Sequence, residues 1–159
     1  MDKILSIILI IFAVITLGVV GTFYFSFGDH KELKKIKNPV HGEKIYLMKV
    51  SWGLDDCRMA IGLNRKFHGG FANDFDDKYL LDYGEHFFYK FSNDSLIIYG
   101  SEFDGPKLNE FKTPIVFISL ENPAFIELGE NETYKTKGLA VFPKSVIERF
   151  EYNDKRNKK

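Results

Sequence analysis

From Ile4 to Phe27 the chain carries no charged side chain, and most residues are Ile, Leu, Val or Phe. About 20 helical residues cross the hydrocarbon core of a bilayer, and an apolar run of about 18 already reads as a span. The run therefore predicts a single N-terminal transmembrane helix over residues 1–28, in the lipid bilayer through Ile4–Phe27. A cleaved signal peptide has an apolar core of about 7–15 residues and a small-residue cleavage site. Here the run is longer and ends in Thr22-Phe23-Tyr24-Phe25-Ser26-Phe27. The only cysteine, Cys57, lies far downstream, so no acylated cysteine follows the run. The expectation is an uncleaved signal-anchor, with cleavage as the rival.

The rings of Phe23, Tyr24, Phe25 and Phe27 fit an interfacial belt at headgroup depth. Gly18, Thr22 and Ser26 recur every four residues and would share a helix face. Small residues at that spacing let two anchors pack closely, although they also scatter through spans that do not pair. Orientation is open. Lys31, Lys34, Lys35 and Lys37 come after the run and argue for a cytoplasmic domain, because positive charge near a span tends to stay inside. A very short N-terminal tail before one span is, however, the common design for exporting the rest of a chain.

The formal net charge of zero hides an acidic domain with basic ends. Between Glu43 and Glu151 there are 13 Lys and Arg against 18 Asp and Glu, a net of −5. Residues 29–42 carry the four lysines and read as a basic juxtamembrane linker, with Pro39 and Gly42 as breakers. Residues 153–159 read as a basic tail. The two ends are either solvated charge runs or segments that rest on anionic headgroups. The domain lacks a stripe of interleaved basic and aromatic residues, so nucleic-acid binding has little support. One cysteine forms no internal disulfide, which argues against a disulfide-stapled secreted scaffold.

Residues 43–152 read as one β-rich globular domain. Its 12 Phe, 7 Tyr and Trp52 supply a large buried area. Strands are expected at Glu43–Val50 and Cys57–Leu63, around the turn Ser51–Asp56. Tyr79–Tyr83 reads as a short strand or a helical turn. Glu85–Phe91 and Ser95–Tyr99 give the strongest hairpin signal, with Phe87, Tyr89 and Phe91 on one face at period two. Phe111–Leu120 reads as a long strand that Pro114 bends or places at an edge. Ala124–Leu128 and Leu139–Phe142 read as short strands. After Pro143 the pattern is ambiguous: Val146, Ile147 and Phe150 fit a helix face, while Val146, Glu148, Phe150 and Tyr152 alternate, less cleanly, as in a strand. The expected fold class is mostly β: a small antiparallel sandwich or barrel-like domain, closed by a short C-terminal helix.

The densest set of oxygen ligands is Asp74, Asp76, Asp77 and Asp82. Calcium takes six to eight oxygens, but Lys78 occupies the third ligand place of the EF-hand spacing and the glycine at the sixth place is missing. A looser cation site joined by Asp55 and Asp56 competes with a solvated acidic loop. Cys57 lacks a histidine tied to it by any local motif, so a buried inert thiol is expected. The chain contains no nucleophile elbow, P-loop, dinucleotide fingerprint or HExxH pair. Glu102 with Asp104 falls in a turn-like stretch. Asn93-Asp94-Ser95 and Asn131-Glu132-Thr133 match the glycosylation pattern, about as often as chance allows. Trp52, beside Asp55 and Asp56, is either an interface anchor or the cap of the β core.

These readings point first to a membrane-anchored, non-catalytic binding or assembly domain with a protein partner in or at the membrane, and without a cofactor. Two alternatives stand beside it. One is a β-barrel holding an apolar ligand among its phenylalanines. The other is a membrane-tethered enzyme using the acidic loop around Asp74–Asp77. A filled core, a hollow core or a converged polar cleft separates the three.

Overall fold

The computed structural model describes residues 2–27, 30–52, 56–65, 79–82, 86–101, 103 and 110–157. Helix α1 (Asp2–Phe27) is long and apolar enough to cross a membrane. Every side chain from Leu5 to Val20 is exposed, so α1 is not a core helix of the domain. The Thr16 and Thr22 hydroxyls donate back to the carbonyls of Phe12 and Gly18 at 2.8 and 2.7 Å. This is how hydroxyls are satisfied where water is absent. The Gly18 face is open; the side chain of Ser26 lies outside the described residues.

After α1 come two four-stranded sheets and a layer of short helices. Sheet A has the order β1 (His30–Lys37), β2 (Lys44–Trp52), β3 (Asp56–Gly62), β4 (Tyr79–Asp82), all antiparallel. Sheet B has the order β7 (Ile115–Ser119), β6 (Ser95–Gly100), β5 (Phe87–Ser92), β8 (Ala140–Phe142). The β5–β6 and β5–β8 pairs are antiparallel. The expectation of a wholly antiparallel domain fails at one place: β7 runs parallel to β6. Parallel neighbours need a crossover rather than a hairpin, and residues 101–114 supply that length. The sheets pack face to face and do not close into a barrel. Ile45, Leu47, Met59 and Ile61 of sheet A meet Phe87, Tyr89, Leu96, Ile98 and Phe142 of sheet B, all 0–5% exposed. Among the described residues these nine side chains form one contiguous buried cluster between the sheets.

The segment expected as a linker behaves differently. His30–Lys37 is a strand paired with β2 along its whole length, from His30↔Ser51 to Lys37↔Lys44. Only Gly28 and Asp29 separate it from α1. Its inward side chains have local partners. Ile36 joins the core. The Lys34 ammonium sits 5.3 Å from the centre of the Tyr89 ring, a favourable cation–π approach. The Glu32 carboxylate accepts from the Ser145 hydroxyl at 2.5 Å and the Ser145 N–H at 3.3 Å. An anion is favoured there, at the start of α4.

Pro39 and Gly42 become the β1–β2 turn, with Gly42 at φ +77. Asn38, 1% exposed, organises it. Its Oδ1 accepts from the N–H groups of Val40 (2.8 Å) and His41 (3.3 Å). Its Nδ2 donates to the Asp94 carbonyl at 2.6 Å and to Thr113 Oγ1 at 3.0 Å. The turn of sheet A is thereby clasped to the β5–β6 turn and to the entry of β7. Glu43 completes the clasp by accepting from the N–H groups of Lys112 (3.0 Å) and Thr113 (2.7 Å). The β5–β6 turn is the expected one, with Asn93 at φ +55, a conformation asparagine tolerates.

The outer face of sheet B is covered by α2 (Asn122–Gly129), a 3-10 turn (Glu130–Glu132), α3 (Thr133–Thr136) and α4 (Ser145–Asn157). Phe88 and Val141 pack there with Leu128, Tyr134, Leu139 and Val146. The segment Ala124–Leu128, expected as a strand, is helical. Pro123 occupies the first turn of α2, where its fixed φ suits a helix. The expected C-terminal helix is present. It continues through Asn157, so most of the basic tail is the last turn of α4, with Lys155 and Arg156 at its end, where cations complement the helix dipole.

Candidate binding groove

The sequence-derived candidates divide by where they fall. Trp52 closes β2 and pairs in register with Asp56 at the start of β3, so the expected hairpin forms. The side chains of Trp52 and Asp56, and all of Asp55, lie outside the described residues. Asp74, Asp76 and Asp77 also lie outside them. Asp82 ends β4 opposite Arg58 in register. Among the described residues no group of three or more His, Cys, Asp and Glu could hold a metal ion.

Cys57 is half-buried on β3, opposite Ser51. His86 belongs to the helical layer on the far side of sheet B. Its ring stacks on Phe125 with centroids 4.7 Å apart, and meets Phe88 and Phe150 edge-on at 5.3 Å. The two residues sit in different layers of the domain. Asn93 and Asn131 are both exposed in turns.

The Glu43 cluster is the most polar built feature. Burial pushes the Glu43 carboxyl up, but hydrogen bonding from Thr113, the backbone N–H groups of Lys112 and Thr113, and the charge of His41 outweigh it. The net result is a carboxyl below its ordinary value of 4.5. Its partners are backbone groups of the neighbouring strand entry, so the cluster is a structural clasp.

An open groove of about 420 Å³ lies where the helical layer stops short of covering sheet B. That volume falls within the usual range of ligand pockets, roughly 300–1,000 Å³. Three elements make it. The period-two alternation of sheet B turns Lys90 of β5 and Tyr99 of β6 outward, away from the core shared with sheet A. Leu120, after β7, and Ala124, Glu127 and Leu128 of α2 form one wall; Lys137 and Leu139, after α3, form the other. Leu128 and Leu139 are buried, Tyr99 and Leu120 half-buried, and Ala124, Glu127 and Lys137 exposed. The Lys90 ammonium lies 6.0 Å from the centre of the Tyr99 ring. The result is an apolar trough with two ammonium groups and one carboxylate on it. Such a surface takes up an apolar group and orients it by charge.

Sequence reasoning misses this groove. Its residues span some fifty positions, and by composition alone the α2 wall reads as a strand. One local signal does mark that wall: Ala124, Glu127 and Leu128 are spaced three and four apart behind Asn122-Pro123, the pattern of a short helix with one face turned inward.

Compared with protein-family models, with curated proteins and with solved structures, the chain gives no match.

Proposed function

We propose that this is a single-pass membrane protein, retained by α1, whose domain is a non-catalytic binding module that receives a protein partner in the groove on sheet B. The observation that supports this reading is the groove itself: a mainly apolar trough bordered by Lys90, Lys137 and Glu127 on the outer face of sheet B. Apolar anchors of a partner would enter between Tyr99, Leu128 and Leu139, and the ammonium groups would favour acidic residues beside them. Interfaces gain most from such small, well-packed pockets.

The test uses the full-length chain in its native membranes, with a photo-crosslinking residue in place of Glu127. The reading predicts one discrete protein adduct. Ala124→Trp, which fills the trough from an exposed helix position, abolishes that adduct while the melting temperature stays within about 2 °C of the parent, as expected for a surface substitution. An adduct indifferent to Ala124→Trp, or adducts to lipid alone, would refute the groove as the partner site.

A further inference from the structure

Strand β1 begins two residues after α1 ends. Three residue steps from Phe27 to His30 reach at most about 10 Å. The start of β1 is therefore tethered at headgroup depth wherever α1 spans a bilayer. The strand is an edge strand, and its period of two sorts its charges. Glu32 and Lys34 turn inward, onto Ser145 and the Tyr89 ring. Lys31, Leu33, Lys35 and Lys37 turn to the outer face of sheet A, in register with Val50, Met48, Tyr46 and Lys44. Val50 and Met48 are 1% and 2% exposed, so that face is covered at β2 and only the β1 strip and Lys44 stand open. Lys31, Lys35, Lys37 and Lys44 are all exposed, and among the described residues none of the four has an ion-pair partner. Leu33 is 46% exposed between them, and Val40 at the turn is 67% exposed. At about 3.3 Å per residue the β1 lysines form a row roughly 20 Å long. A lysine row with interspersed apolar side chains matches the chemistry of an anionic bilayer surface.

We propose that the exposed lysine strip of β1, at the edge of sheet A, is a docking surface for anionic phospholipid headgroups. The inference rests on α1 being a membrane anchor. No residue of β1 lines the groove on sheet B, so docking through β1 leaves that groove open to a partner.

The full-length chain is reconstituted in nanodiscs of phosphatidylcholine, with or without phosphatidylserine, and its amines are labelled briefly and located by mass spectrometry. Labelling of Lys31, Lys35, Lys37 and Lys44 is expected to fall roughly threefold or more in the anionic discs at low salt. The difference should vanish at about 1 M salt, where the screening length is about 3 Å. Lys135 and Lys137 of the helical layer should label equally in both. A chain that fails to enter nanodiscs refutes the anchor, and the docking surface with it. A chain that enters but labels alike in both lipids overturns the headgroup contact alone. A lipid effect confined to Lys31 also overturns it, because it means that β1 stands away from the surface.

Discussion

Replacing Asn38 with alanine tests the clasp that joins the two sheets. Asn38 is 1% exposed, and its side chain makes three short hydrogen bonds: to the Asp94 carbonyl (2.6 Å), to Thr113 Oγ1 (3.0 Å) and from the Val40 N–H (2.8 Å). Each such bond contributes a net of about 1 kcal/mol, and a buried partner left unpaired costs about 1–3 kcal/mol. Thr113, itself 2% exposed, is the partner most subject to that penalty. The expected loss for Asn38→Ala is therefore about 3 kcal/mol. With a urea dependence of about 2 kcal/mol per molar, the unfolding midpoint of the full chain in non-ionic detergent should fall by roughly 1.5 M. Near-ultraviolet circular dichroism tracks chiefly the domain, whose Trp52 and seven Tyr outweigh the one Tyr of α1. Asn38→Asp gives a sharper signature. It keeps the acceptor for Val40 but replaces the amide donors with a buried carboxylate, which faces the Asp94 carbonyl without a proton to offer. At neutral pH it should cost at least as much as alanine. On acidification the protonated acid regains one donor, so the deficit relative to the parent should shrink. A loss below about 1 kcal/mol for Asn38→Ala would refute the clasp, since one net hydrogen bond alone accounts for that much.

Glu43 and Gly129 give two further expectations. The Glu43 carboxyl is held below 4.5, so the stability it contributes is present above that pH and is lost as pH falls through its lower native value. Glu43→Gln should therefore unfold more easily than the parent at pH 7 and approach it as denaturation curves are taken at successively lower pH below 4.5; an equal deficit at every pH would contradict the assignment. Gly129→Ala should destabilise the domain by about 1–2 kcal/mol through overpacking, although helix propensity alone predicts a gain of up to about 1 kcal/mol. The new methyl group would meet Cε1 of Phe150 at 2.8 Å, and that ring is held among His86, Phe88 and Tyr134. A raised melting temperature for Gly129→Ala would show that the aromatic cluster yields.

Local composition alone settled α1 and the β5–β6 hairpin. A run of uncharged Ile, Leu, Val and Phe satisfies its own backbone as a helix whatever else the chain does. Phe87, Tyr89 and Phe91 share one face at period two, and the Asn93-Asp94 turn fixes the register; Phe88, on the other face, is buried as well. Val146, Ile147 and Phe150 likewise marked α4 by their spacing. Three features depended on partners distant in the chain. The strand β1 is rich in lysine, which strands disfavour, and it reads as a solvated stem until β2 supplies eight paired residues and Ser145 and Tyr89 receive its inward charges. Within α2, Ala124–Leu128 are five apolar-leaning residues that suit either element; the open outer face of sheet B, with Phe88 waiting to be covered, decided for a helix. The direction of β7 depends on where the chain crosses back after β6, which no periodicity records. The groove inherits all of this, since it exists only where α2 and the end of α3 meet sheet B. The apolar start of the chain determined a helix long and apolar enough to cross a membrane, and tertiary pairing with β2 decided that the lysine-rich segment after it is a strand.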